Sequence, residues 1–202
     1  AESDEIIRIP ENINFVLNSA IAKMLYDGME ITDTKGKIIL REGVLLMENL
    51  SMNTLDGNIR MNGAYNSKPA QPPVDFDLAL SEIDIQALFK QFVTVQKMAP
   101  LAEYCTGNIS AQIAFDSRLE NDMMPDYSTL NSRGKLKSRE IGIKNNSLFA
   151  NLGKKTKLDF LKNPVLKDIN LSYEIKNGNL EVEPTEFKVK DSKMLITGTH
   201  NL

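Results

Sequence analysis

Two carboxylate pairs have the type and spacing to do chemistry, Asp75 with Asp77 and Glu181 with Glu183. Residues two apart on a strand point to the same face, so either pair could hold an acid and a base side by side. On a half-buried sheet the same spacing marks the solvated face, and no companion group suggests a perturbed pKa for any of the four. The one histidine, His200, and the one cysteine, Cys105, leave no Ser-His-Asp or Cys-His arrangement and no multi-ligand metal cluster. His200 reads as an exposed strand-end residue. Cys105 stands before Thr106-Gly107 at the approach to an alternating run, which predicts a small buried or half-buried side chain rather than a nucleophile. Asp56-Gly57-Asn58 lacks the spacing of a phosphate or calcium loop and reads as a turn. These residues predict no enzyme, no cofactor and no metal.

Charge excludes a further class. The formal net charge is −3, and the densest cationic run, Lys154, Lys155 and Lys157, is short and lies beside Asp159. Nucleic acid would need a longer basic stripe, so no nucleic-acid partner is expected. A chain of 202 residues with 42% hydrophobic and 25% charged residues can bury a real core. One unpaired cysteine rules out an intrachain disulfide and fits several compartments. The start AESDEIIRIP is acidic and strand-like, unlike a cleavable signal, and no apolar run is long enough to span a bilayer.

The elements that would carry a site are strands. From Lys35 to Tyr65 apolar residues recur at every second position, as in Ile38 and Leu40, Leu45 and Met47, Ile59 and Met61. Glycines punctuate the runs, and turns are expected at Arg41-Glu42-Gly43 and Asp56-Gly57. Ile6 to Pro10 and Ile13 to Leu17 read as two short strands or one kinked strand, and Ala20 to Tyr26 as a strand of a hairpin turning at Asp27-Gly28. Asn66 to Pro73 is a connector, and Val74 to Leu80 alternates again. The period changes between Ile83 and Met98, where Ile85, Leu88, Phe89, Phe92 and Val93 are spaced for an amphipathic helix with Asp84 as N-cap and Pro100 as stop. Asn108 to Asp116, Gly134 to Asn145 and three runs in Ile169 to His200 read as further strands, and Ser147 to Gly153 as a short helix capped by Asn146 or Ser147 and ended by Gly153. The fold class is mostly β with a few helices (α+β), a long curved antiparallel meander in a single domain over 1–202, with one covering helix around 84–98.

The last section repeats the first. Setting Gly43 on Gly178 aligns Leu45 with Leu180, Met47 with Val182, Asp56 with Asp191, Ile59 with Met194, Met61 with Ile196 and Gly63 with Gly198. Similar strand units therefore span 36–65 and 171–200. Six of the nine methionines, Met24, Met29, Met47, Met52, Met61 and Met194, mostly fall in strand-like runs, where flexible thioethers fill a core or line an adaptable groove.

The order of motifs from Gly36 to Ile85 adds a resemblance. "GKI" with Leu40, "GVL" at Gly43, "LDG" with Ile59, Gly63 and Tyr65, a proline-bearing linker, "DFDL" at Asp75 and "IDI" at Ile83 before a helix resemble the C-terminal region of AsmA-like envelope proteins, relatives of the TamB group. Pro100, Thr106-Gly107-Asn108-Ile109-Ser110 and Asn177-Gly178-Asn179-Leu180 fit the same order. The resemblance implies a periplasmic protein tethered to the inner membrane, serving outer-membrane biogenesis or maintenance through an apolar β-groove for phospholipid or another acyl lipid. It implies no catalytic residues, and the chain would be an excised fragment of a longer envelope protein. The groove candidates are Ile38, Leu40, Leu45, Met47, Ile59, Met61, Leu180, Val182, Met194 and Ile196. The same residues would form ordinary core if the covering helix closes over them. An adaptor that contacts other envelope proteins through its sheet edges is the alternative function.

Overall fold

The computed structural model describes residues 6–202; the acidic start at residues 1–5 lies outside them. The chain forms one antiparallel sheet of eleven strands that does not close. The strands are β1 (Asn14–Tyr26), β2 (Met29–Arg41), β3 (Val44–Thr54), β4 (Gly57–Asn66), β5 (Pro73–Asp84), β6 (Cys105–Thr106), β7 (Asn108–Arg118), β8 (Asn131–Ile143), β9 (Val165–Lys176), β10 (Asn179–Val189) and β11 (Ser192–Asn201). Each pairs with its neighbour in sequence, except that β5 pairs directly with β7 and the two-residue β6 adds to β8.

Tight turns make this meander. Asp27-Gly28, Glu42-Gly43, Leu55-Asp56 and Asn177-Gly178 each join two strands with both φ angles positive, between 47° and 76°. That backbone matches the right-handed twist of the flanking strands, and Asp, Asn and Gly enter it at least cost. The turn expected at Asp56-Gly57 lies one residue earlier: Thr54 pairs with Gly57, which opens β4.

Alternation along each strand and register across them combine into apolar rows. One row runs through Leu17, Ile38, Met47, Gly63, Phe76, Phe115, Ser132, Ile175, Leu180 and His200. Glycine at Gly63 makes room there for an aromatic ring, because a Cβ would collide with Phe76. In β8 Gly134 accommodates Tyr173 in the same way. The two repeated hairpins share more than their turns. The β3–β4 register shifts between Met47 and Leu50, and the β10–β11 register shifts between Val182 and Thr185, which are the equivalent positions. Asn49 makes the first bulge with φ of 50°, while Pro184 occupies the matching place in the second.

The three α-helices of the described residues lie at one end of the sheet, between β5 and β7 and between β8 and β9, while a 3₁₀ turn at Tyr127–Thr129 joins β7 to β8 at the other. The expected helix over 84–98 is two helices, α1 (Ile85–Gln91) and α2 (Val93–Met98). Asp84 is the N-cap: its carboxylate accepts from the Ala87 N–H at 2.7 Å. Ile83 belongs to β5 and is fully buried. The break falls at Phe92, in extended conformation (φ −115°, ψ 111°), and α2 resumes at once with Val93-Thr94-Val95. The third helix, α3 (Ser147–Thr156), starts at Asn146, whose side chain accepts from Leu148 N and Phe149 N at 3.0 and 3.3 Å. It does not stop at Gly153. That glycine is buried inside the helix, where a Cβ would lie 2.9 Å from the Lys162 nitrogen, and the left-handed residue that ends the helix is Lys157.

Two apolar cores result. At the helical end Ile59, Ile83, Ile85, Cys105, Ile109 and Ile143 are buried together, with Leu88, Tyr104 and Phe149 packed on them. At the opposite end Tyr65, Val74 and Leu119 are buried with Ile9, Leu45, Phe76, Phe115 and Met123. Residues 6–10, expected to be strand, are instead an irregular strap over this second core. Pro10 cannot donate to a ladder, and the strap bonds to the 66–69 turn instead. Arg8 donates to the Ser67 and Pro69 carbonyls, Ile9 N–H donates to Ser67 Oγ at 3.0 Å, and Tyr65 OH donates to the Ile7 carbonyl at 2.6 Å.

Candidate functional site: an apolar cavity on the concave face

Against the second core the apolar face forms an open cavity of about 820 Å³, lined by all eight of that core's residues. Leu40 of β2 and Leu45 of β3 line it together with Leu180 and Val182 of β10. Strands that far apart in the sheet reach one cavity because the sheet curls with its apolar face inward. Phe76, Phe115 and Ile113 of the central strands form the floor, with the Phe76 and Phe115 rings stacked at 5.4 Å between centroids. Helix α2 lies over the cavity through Val95 and Met98, and Ile7, Ile9, Met123 and Leu130 close the end opposite the helices.

Among the described residues no charged side chain lines this space. Its polar atoms are few and largely engaged. Ser132 Oγ donates to the Ala114 carbonyl at 3.0 Å and lies 3.2 Å from Tyr173 OH, while Tyr65 OH bonds to the strap. Burial pushes the Tyr65 and Tyr173 phenols up, partly opposed by Arg8 in the first case and by the Ser132 hydrogen bond in the second. Among the described residues the arrangement offers hydrocarbon contact and the hydroxyls of Tyr65, Thr94, Ser132 and Tyr173. Its volume falls in the range of small-molecule pockets.

The ten groove candidates divide. Leu40, Leu45, Leu180 and Val182 line the cavity. Ile38 and Met47 are cross-strand partners on the same face, half-buried beside it. Ile59 is buried in the helical-end core and Met61 packs against that core, so for these two the covered-core alternative holds. Met194 and Ile196 face the same side from β11, paired with Phe187 and Thr185, but stand outside the cavity with 36% and 46% exposure. The lining residues missed in the sequence are chiefly Phe76, Ile113, Phe115 and Tyr173. Their alternation was visible, yet only the row that joins Met47 to Phe76 and Phe115 across Gly63 shows that they share a surface with Leu45.

The carboxylate pairs take the outer face. Asp75 pairs with Ala64 and Asp116, and Asp77 with Asn62 and Ala114, and both are exposed. Glu181 and Glu183 are also exposed, as is His200. No group of three or more metal-ligating side chains occurs among the described residues. Cys105 is 8% exposed, its Sγ donates to the Leu101 carbonyl at 3.4 Å, and burial pushes the thiol up. Among the described residues no helix is long and apolar enough to cross a membrane. Against known proteins, no family model, curated protein or solved structure matches the chain.

Proposed function

We propose that this chain is a non-enzymatic lipid-binding segment that holds an acyl chain in the cavity of its curved sheet. The observation that carries the reading is the cavity of about 820 Å³ bounded mainly by aliphatic and aromatic side chains, with no charged side chain among the described residues of its wall. Each methylene moved from water into such a space contributes about 0.8 kcal/mol, so even a partly inserted chain would offset the cost of association. The motif order shared with AsmA-like proteins supports phospholipid as the cargo and a periplasmic, inner-membrane-tethered setting for a longer protein that contributes to outer-membrane biogenesis.

The test is uptake of a fluorescent fatty acid by purified protein, with native mass spectrometry for co-purified phospholipid. Leu180→Asp on β10 and Met98→Asp on α2 approach the cavity from opposite sides and are expected to weaken uptake at least tenfold, since a carboxylate there would have to be desolvated. The Asp75→Asn, Asp77→Asn double variant on the outer face should bind as the wild type does. Wild-type protein that takes up no acyl probe, or cavity variants that bind it unchanged, would overturn the proposal.

A further inference from the structure

The segment that carries α3 is basic in a chain of acidic net charge. Residues 144–162 contain Lys144, Lys154, Lys155, Lys157 and Lys162 against a single acid, Asp159, in a chain of net charge −3. That acid is taken: Lys162 pairs with Asp159 at 2.5 Å and holds its carboxyl below the usual range. Lys144, Lys154, Lys155 and Lys157 are exposed and make no ion pair among the described residues.

The same segment turns leucines outward. Phe149 and Gly153 face the protein, the first packed on the helical-end core and the second buried. The adjoining exposed stripe is Leu148, Leu152 and Lys155, at i, i+4 and i+7, with Ser147, Asn151 and Lys154 on the side opposite the core. Leu148 is 69% exposed, Leu152 39% and Leu158 43%. Scattered single leucines on a surface need no explanation, but three within one short basic segment form an amphipathic surface with a partner still to meet.

We infer that α3 and its flanks are a docking surface for an anionic bilayer. Charge complementarity selects that occupant: unpaired lysines reach headgroup phosphates while Leu148, Leu152 and Leu158 enter the boundary with the acyl chains, which is how interfacial helices bind. A nucleic acid would use the lysines and leave the leucines in water. The segment contains no arginine for bidentate phosphate contacts. The surface stands apart from the cavity, on the outside of the helical end, so docking and acyl binding are separate properties with separate readouts.

The experiment is co-sedimentation of the whole chain with vesicles of phosphatidylcholine alone and of phosphatidylcholine containing roughly one quarter phosphatidylglycerol. Binding is expected only to the anionic vesicles and should fall as salt is raised. Replacing Lys154, Lys155 and Lys157 by alanine should weaken it by roughly two orders of magnitude, about fivefold for each lysine. Leu148→Ser with Leu152→Ser should weaken vesicle binding while leaving any association with duplex DNA unchanged. All five positions are exposed, and circular dichroism with unchanged fatty-acid uptake establishes that the variants are folded. Equal binding to neutral vesicles, no binding to anionic ones at low salt, or a leucine variant that binds them as tightly as wild type would each overturn the inference. In the last case the segment is a polyanion patch.

Discussion

At the residue scale two phenols, Tyr65 buried and Tyr173 half-buried, give the protein an alkaline limit. Tyr65 and Tyr173 both have pKa values raised above 10.0, with burial the leading cause. The folded state therefore holds these protons more tightly than the unfolded chain does. Their contribution to stability is complete below the unfolded value near 10 and is lost as pH rises through the folded values. The melting temperature should decline above about pH 10, and Tyr173→Phe should reduce the slope of that decline. Lys176 and Lys188, raised by hydrogen bonds to Glu174 and Asp168, act in the same direction, so the slope difference between variant and wild type is the readout. An unchanged slope would show that the Tyr173 phenol ionises freely in the folded protein. Cys105 was legible from its neighbours alone, because a small apolar residue ahead of a glycine-led strand has few places to go but inward. The tyrosines were not, since Tyr173 depends on the space beside Gly134 and Tyr65 on Val74, Leu119 and the strap.

Among the elements, strands were legible because alternation and turn chemistry agree, and so was the start of α1 at Asp84. Three features were not. The break at Phe92 interrupts an apolar stripe that runs on through both helices and so reads as one. Gly153 resembles a helix terminator but serves close packing against Lys162, and the strap at 6–10 alternates like a strand while finding its partners on Ser67 and Pro69. Glycines separate in the same way once their neighbours are known. Gly36 has φ of 140°, and a Cβ there would lie 2.6 Å from the Leu50 Cα, at the point where the β2–β3 register shifts between Lys35 and Lys37. Backbone cannot give way as a side chain tip can. Gly36→Ala is expected to cost about 2–4 kcal/mol, through strain and overpacking together. Gly198, the repeat partner of Gly63, would meet nothing within 4 Å. Its edge strand has no further strand to supply a ring, and Gly198→Ala should fall within about 0.5 kcal/mol of wild type. Urea unfolding of the two variants checks the contrast, and equal midpoints would mean that the β2–β3 bulge is not the rigid feature described.

For the whole molecule, periodicity in the sequence assigns each residue to a face but carries no information on how far the sheet curls or where its cover stops. Those properties come from the rows that join distant strands and from two helical insertions at one end. Stability is distributed accordingly. The helical-end core draws on Ile59 of β4, Ile83 of β5, Ile109 of β7 and Ile143 of β8, and the opposite core on Tyr65 of β4 and Val74 of β5. The edges have little of this support. β11 is exposed at every residue and β1 at all but Ser19, and each is hydrogen-bonded on one side only. Opening an edge strand breaks one ladder and uncovers little apolar surface, whereas opening β5 or β7 breaks two ladders and both cores. Amide exchange should therefore be slowest in β4, β5, β7 and β8 and fastest in β11 and β1. Occupation of the cavity by a fatty acid should slow β10 most, because Leu180 and Val182 then gain a partner that also touches Leu40 and Leu45. Edge strands protected as strongly as β5 would mean that β1 and β11 find partners in solution, and the open sheet would then be one state of a larger assembly.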